Sequence, residues 1–392
     1  MVTETGTTPG SQSALRQANE RRVVDVLRRD GTRTQAELAR ATGLSAASVS
    51  NIVRGLRAAG TVSVRNTSSN GRRARAVTLL RPPGTVVAID FAVDRIRVAI
   101  GDSEGNMLAH ESIAYEVTAD PARAVRRAAW LTETALLGAR IDLGTVASAV
   151  ASVPGPIDPG SGAVGAISCL PRWSGFRPAA ALEERLGLPV LAENDANLAV
   201  VAERKLGAAQ GADHVIQLVL GEGIGAGIVM SGQLFRGAGG TAGEIGHIGL
   251  DSRGQVCRCG NRGCLETFVG TGYLLNMLPR NHDLGSGTDR VRLNEVVASA
   301  LRGDPGSRRI IAEAGTALGQ GTAITANLFN PDLVVVGGDL ADAGDLLLEP
   351  MRRAMELGTL GGALAQLELV PSALGEDASL RGALLTAAHN LS

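Results

Sequence analysis

The sequence predicts an α/β protein in two parts, a small winged helix-turn-helix head and a body of two mixed α/β lobes. Three observations lead there. Residues 1–80 carry 13 arginines and 5 acidic residues, a balance of +8, whereas residues 81–392 carry −9. A helix-turn-helix spacing followed by an alternating hairpin lies inside the basic part. In the remainder, a pair of apolar strands about a sharp turn occurs twice, each time followed by helical segments, which points to one plan used twice with a cleft between.

Composition limits the classes. A chain of 392 residues with 44% hydrophobic and 20% charged residues has room for two or three soluble domains. No stretch approaches the eighteen apolar residues of a membrane span, and residues 1–20 hold no apolar core of a leader peptide, so a cytoplasmic protein with no membrane partner is expected. Three of the four cysteines lie between 257 and 264, which suits a metal site better than a disulfide framework. The basic head implies a polyanionic partner.

The first element is a helix over about Ser13–Arg29, contributing Leu15, Val23, Val26 and Leu27 to a core. In "TRTQAELARATGLSAASVSNIVRGLRAAG" (32–60), Thr34 and Glu37 have the spacing of a capping box. Ala39 is small where two helices would cross, Gly43-Leu44 make the turn, and a second helix opens at Ser45. On that helix Val49, Ile52, Val53 and Leu56 share one face. The opposite face offers Ser45, Ser48, Ser50, Asn51 and Arg54, side chains able to bond base edges and phosphates. "TVSVRNTSSNGRRARAVTLL" (61–80) alternates as two strands about a basic tip, so Arg72, Arg73 and Arg75 suit the DNA backbone or minor groove. A helical module for protein contacts is the alternative; the arginine-bearing wing favours double-stranded DNA.

Beyond the linker Arg81–Thr85, "AIDFAVDRIRVAIGD" (88–102) reads as a hairpin whose first strand ends at Asp90, with no glycine in the turn Ala92-Val93-Asp94. Its counterpart is "HVIQLVLGEGIGAGIVMSGQLF" (214–235), and "LVVVGG" (333–338) is a further buried strand. "GLPVLAENDANLAVVAERKLG" (187–207) runs a strand into Asn194-Asp195 at a helix start. A carboxylate there could accept a hydrogen bond, or a proton, from a substrate hydroxyl, although Asn-Asp at such a place is more often only a helix cap. In "GEIGHIGLDSRGQVCRCGNRGCLE" (243–266), His247, Cys257, Cys259 and Cys264 form the Cys3His set of a closed, structural zinc site; free thiols are the alternative. Such a clip would tie Glu244, His247 and Glu266 to one loop, a polar cluster for a polyhydroxylated ligand.

On "SVPGPID" (152–158), "ENDAN" (193–197), residues 221–247 and the cysteine segment, the body resembles the ROK family (repressors, open reading frames and kinases), and the whole chain resembles its repressor branch. The resemblance implies an actin-like, hexokinase-type fold. It divides the chain into a head at 1–80, a linker at 81–85, a small lobe at 86–197 plus 378–392, and a large lobe with the zinc loop at 198–377. It also implies that Asn194, Asp195, Glu244, His247 and Glu266 contact sugar hydroxyls. Asp195 then stands in the place of the kinase base, and His247 serves zinc and ligand together.

The chain departs from the family kinases where they hold phosphate. Their Asp-x-Gly-Gly-Thr is Asp90-Phe91-Ala92-Val93-Asp94 here, and their Gly-Thr-Gly is Gly221-Glu222-Gly223. Side chains replace bare backbone, and the acids Asp94 and Glu222 would face a triphosphate at a cost of roughly 4 kcal/mol per pairing at about 4 Å and an effective dielectric near 20. The expectation is a non-enzymatic, sugar-responsive repressor, a homodimer on a two-fold operator. A bifunctional DNA-binding kinase and a regulator answering to a protein partner are the alternatives. Sugar selectivity is expected to depend on the segment Leu170–Phe176, with Trp173.

Overall fold

The apolar residues of the head converge from three helices, α1 (Gln12–Asp30), α2 (Gln35–Thr42) and α3 (Ala46–Ala58). Val23, Val26, Leu27, Leu38, Val49, Ile52 and Val53 are buried together with Val62 and Val77 of the wing, and Leu56 packs half-buried at the edge. Residue Thr34 starts α2 as a full capping box: Glu37 N donates to its hydroxyl, and Thr34 N donates to the Glu37 carboxylate at 2.7 Å. Gly43, with φ +70°, ends that helix in the left-handed conformation that glycine adopts without a Cβ penalty. The wing is an antiparallel pair, β2 (Val62–Ser69) and β3 (Arg72–Leu79), and the short β1 (Arg33–Thr34) pairs with β3, giving the order β1-β3-β2. This is the element order of a winged helix-turn-helix.

The computed structural model describes residues 12–58, 61–69, 72–79, 84–278 and 287–391, and the chain parts into two units between Pro83 and Gly84. Most of the expected linker, 81–83, and the side chains of Leu15, Arg72 and Arg73 lie outside the described residues.

The body contains the same sheet twice. In the first, β4 (Thr85–Phe91), β5 (Arg95–Gly101) and β6 (Met107–Ala114) run antiparallel, and β7 (Val146–Val153) and β8 (Val190–Asn194) join in parallel, in the order β6-β5-β4-β7-β8. In the second, β9 (Val215–Leu220), β10 (Ile224–Met230) and β11 (Gln233–Leu234) are antiparallel, and β12 (Leu333–Gly337) and β13 (Glu368–Pro371) parallel, in the order β11-β10-β9-β12-β13. Strands β4 and β5 are buried beyond their first residues, so both faces are covered and the sequence reads as an apolar run rather than an alternation.

Each sheet has its own core. Around the first, α4 (Pro121–Ala139) and α5 (Pro178–Leu186) close over Ile89, Val98, Leu131 and Leu182. Around the second, α7 (Glu266–Val269), α8 (Thr271–Met277), α9 (Asp289–Arg302), α10 (Pro305–Phe329) and α11 (Asp345–Gly358) supply residues such as Leu274, Leu293, Leu318 and Met351, and the one-turn α12 (Gly361–Leu364) follows. Two helices join the sheets: α6 (Asp195–Leu206) leaves β8 and packs on β9 and β10, while α13 (Ala378–His389) packs on α6, β4 and β7. Their approach needs Gly382, where a Cβ would stand 1.9 Å from the Leu198 carbonyl oxygen. Because α6 is continuous, an expected lobe boundary at 197/198 falls inside a helix that both sheets share.

Trp173 is fully buried, with its indole N–H donating to Val117 O at 3.0 Å and its ring edge-on to Phe91 at 5.0 Å. It is a core residue, and the cleft at the strand ends is lined by Ile167, Ser168 and Cys169, just before the segment Leu170–Phe176, rather than by Trp173 itself. Among the described residues no helix is long and apolar enough to cross a membrane.

Candidate ligand cleft, metal centre and nucleic-acid face

Strand ends of both sheets open onto one cleft. Its lining includes Asp90 to Asp94 after β4, Pro154 and Gly155 after β7, Asn194 and Asp195 after β8, Gly221 to Gly223 after β9, and Gly337 to Asp339 after β12. This is where parallel strands place ligands, because each chain turns there and leaves backbone groups unpaired.

The five residues expected to meet a sugar all line this cleft. Asn194 caps α6, accepting from Asn197 N at 3.1 Å and donating to Gly155 O at 3.1 Å, so much of its hydrogen-bonding capacity serves the fold. Asp195 accepts from Ala196 N at 2.8 Å; burial and then the nearby Asp90 charge raise it to about 7. Glu244 is likewise raised to about 7, by burial and by the charges of Asp195 and Glu266, against the pull of Arg258. Carboxyls near neutrality can donate to one hydroxyl and accept from another. Glu244 is delivered by Gly243, whose φ of +96° and closeness to Ala226, 1.8 Å from a hypothetical Cβ to that carbonyl oxygen, admit only glycine.

The residue types at 247, 257, 259 and 264 meet as expected, with their ligand atoms within 4.8 Å of one another. Cys259 Sγ lies 3.6 Å from Cys264 Sγ, and Cys257 Sγ lies 3.5 Å from His247 Nδ1. Neither is a disulfide length; both match the edges of a tetrahedron with Zn–S near 2.3 Å and Zn–N near 2.0 Å. The other ring nitrogen of His247, Nε2, faces Glu244 at 3.8 Å, towards the cleft. Four protein ligands would close the metal's inner sphere, so zinc here would brace the loop and hold the imidazole.

Glu266, almost fully buried, accepts from Arg258, which also donates to Cys169 Sγ at 3.3 Å. Sequence reasoning missed both partners. Arg258 stands between two of the clustered cysteines, a position that fixes its backbone and aims its guanidinium into the cleft; that spacing was the available signal. Cys169, whose thiol burial pushes up to about 12, left no sequence signal.

Of the two acids at the former phosphate turns, Asp94 is not bare. It accepts from Thr288 Oγ1 at 3.0 Å and lies 3.5 Å from Arg290 Nε, so its charge is largely compensated and the simple repulsion expected of it is reduced. Glu222 remains an acid among acids, raised by burial and then by Asp289, Asp94 and Asp339. Asp90 is turned inward: burial opposes its charge, but Arg97 at 2.8 Å and the Ser152 and Ser379 hydroxyls outweigh it and hold it below the usual range.

In the head, Asn51 and Arg54 are exposed on α3, and Ser48 and Ser50 are half-buried beside them. Ser45 is spent on the helix start, where its hydroxyl accepts from Ser48 N at 3.1 Å and pairs with the Ser48 hydroxyl at 2.9 Å. The exposed face runs instead through Ala47, Asn51, Arg54 and Ala58, with Arg57 alongside; Ala47 and Arg57 were not anticipated. Arg75 is exposed on the wing.

Duplicated sheets about a shared helix pair, a strand-end cleft of carboxyls and a Cys3His cluster define a two-lobed protein of the sugar-kinase-like class. The chain belongs to the ROK family, whose model matches residues 86–390. Residues 17–72 match a family described as a domain of unknown function, DUF7343. The xylose repressor of Caldicellulosiruptor bescii is 27% identical over 385 residues, covering 96% of each chain. A crystal structure of a ROK family transcriptional regulator, described as a homologue of the Escherichia coli MLC protein, superposes with a TM-score of 0.76 at 25% identity, covering 96% of this chain and 97% of that one. A ROK family glucokinase from Streptomyces griseus, solved with glucose and AMPPNP, gives 0.67 at 31% identity over 78% of this chain and 99% of its own.

Proposed function

We propose that this chain is a sugar-responsive, DNA-binding transcriptional regulator, a repressor, whose body holds its effector without phosphorylating it. One observation carries the reading: Asn194, Asp195, Glu244, His247 and Glu266 line a single cleft, braced by the cysteine cluster, in a chain that also bears a basic winged head. The repressor relatives support it, because they match along the head as well as the body.

In this reading the five cleft residues bind sugar hydroxyls, and His247, Cys257, Cys259 and Cys264 hold a structural zinc ion. Asn51 and Arg54 approach bases, with Ser48, Ser50, Arg72 and Arg73 on phosphates or groove walls, and Ser45 holds the start of the helix. A cytoplasmic homodimer places two heads on a two-fold operator. The small lobe comprises 86–197 with 378–392, and the large lobe 198–377. The sugar reads out concentration because it is not consumed, and the altered turns at Ala92, Val93, Asp94 and Glu222 leave no cradle for a triphosphate.

A bifunctional kinase is the second reading, favoured by Asp195, which near pH 7 is half-ionised and fit to take a hydroxyl proton. Thermal-shift screening of free sugars, xylose and glucose among them, and of sugar phosphates is expected to yield a stabilising sugar; no response from any would remove the sugar reading. Incubation with the stabilising sugar, ATP and Mg²⁺ is expected to leave it unphosphorylated. Sugar phosphate that forms with the natural sequence and not with Asp195→Ala would establish the kinase.

A further inference from the structure

The same cleft holds a second set of charges that the proposed sugar chemistry does not use. Thr288 caps α9, and Arg290 lies in its first turn, on the side of the second sheet. Both reach Asp94 in the β4–β5 turn of the first sheet, at 3.0 Å and 3.5 Å. The same guanidinium lies 3.4 Å from Asp339, just after β12, and 3.6 Å from Glu376, just before α13. Glu376 in turn accepts from Arg95 of β5 at 2.9 Å. One cation therefore ties three chain segments together: the first turn where a family kinase would cradle phosphate, the end of β12 in the second sheet, and the entry to α13, one of the two helices that join the sheets.

Two features make this more than surface pairing. Arg290 is mostly covered, and its partners Asp94 and Asp339 are covered further, so solvent screens those two pairs poorly, while Glu376 stands at the exposed rim. Its partners also come from both sheets, so the cluster can persist only while the two sheets keep their spacing at this end of the cleft.

We infer that Arg290 is the pin of an ionic clasp that holds the two lobes together at the place where a nucleotide would otherwise bridge them. The clasp commits the Arg290 guanidinium to three carboxylates, so that cation is not turned outward for a phosphate. It also sets the spacing of the lobes before any ligand arrives, so that closure around a sugar starts from a partly ordered cleft. This last consequence rests on the sugar-binding reading; the clasp itself does not.

The test is therefore made without sugar or DNA. Hydrogen exchange followed by mass spectrometry is run on the zinc-loaded full chain, comparing the natural sequence, Arg290→Gln, the nearly isosteric Asp94→Asn, and the two together. Segments 90–96, 337–342 and 374–378 are expected to exchange at least fivefold faster in each single variant and no faster in the pair, while α10 and α11 are unchanged. Unchanged exchange in Asp94→Asn, or effects that simply add in the pair, would overturn the clasp. Protection of α10 and α11 also reports whether Arg290→Gln has folded, and Asp94→Asn decides alone if it has not. Failure here with a positive sugar screen leaves the sensor intact, and the reverse removes the sensor but not the clasp.

Discussion

At the scale of single residues the cleft buries two carboxyls, Asp195 and Glu244, close to one another and so raises both to about 7. Asp195 is raised to about 7, first by burial and then by Asp90. A group whose pKa is higher folded than unfolded stabilises the fold fully below its unfolded value, near 4, and loses that contribution as pH climbs through 7. Asp195→Asn, which mimics the protonated acid, is therefore expected to remove part of the pH dependence. The natural chain should lose on the order of 1–2 kcal/mol of stability relative to the variant from about pH 5.5 to pH 8, as read by denaturant melts. A difference independent of pH would mean that Asp195 titrates normally. The same variant is expected to lose sugar affinity chiefly above pH 7, where an amide offers one acceptor and the natural carboxylate two. Arg258 belongs to this scale too, since it pairs with Glu266, and in the proposed reading a sugar hydroxyl would share that carboxylate with it.

Among the elements, the segment 247–266 is a run of turns that carries the cysteine cluster. Its bridges, Gly249 with Cys264 and Val256 with Arg262, and turn bonds such as Leu250 N to Gly263 O and Cys257 N to Asn261 O, both at 2.8 Å, already order it, and a cross-link among its side chains would add stabilising energy. A metal on His247, Cys257, Cys259 and Cys264 would supply that energy. We expect Cys259→Ser to fall from one zinc per chain to none by metal analysis, to melt several degrees lower, and to lose sugar response together with metal, since His247, Arg258 and Glu266 share the loop. Full zinc retention would place the metal elsewhere. In the head, the α2 start at Thr34 is expected to contribute about 1 kcal/mol, lost in Thr34→Ala and measurable as a lower melting transition of the head.

For the whole molecule, the claim is a coupling between two separate units. Whatever factor sugar applies to operator affinity, DNA must apply to sugar affinity, because both belong to one thermodynamic cycle. Titrating sugar at saturating operator and at none, and operator at saturating sugar and at none, is expected to return one ratio; equal affinities in all arms would mean that the units do not communicate. Arg54→Ala is expected to cost about 1–3 kcal/mol on the preferred operator and less on unrelated DNA. Arg72→Ala with Arg73→Ala should weaken all DNA and flatten the salt dependence by about two ion equivalents.

The plan of the molecule was legible in the chain because periodicity and spacing are local. The capping box at Thr34, the stripe of Val49, Ile52 and Val53, the repeated hairpins and the cysteine spacing each specify an element or a ligand set within a few residues. Tertiary structure alone decided the partners of charges. Nothing near Asp94 in the chain announces Thr288 and Arg290, nearly two hundred residues on, and nothing near Trp173 says that Phe91 covers it. A side chain's burial and its neighbours' charges depend on which distant segments the fold brings within a few ångströms. Those two quantities are what set whether an acid repels, pairs or waits half-protonated for a hydroxyl.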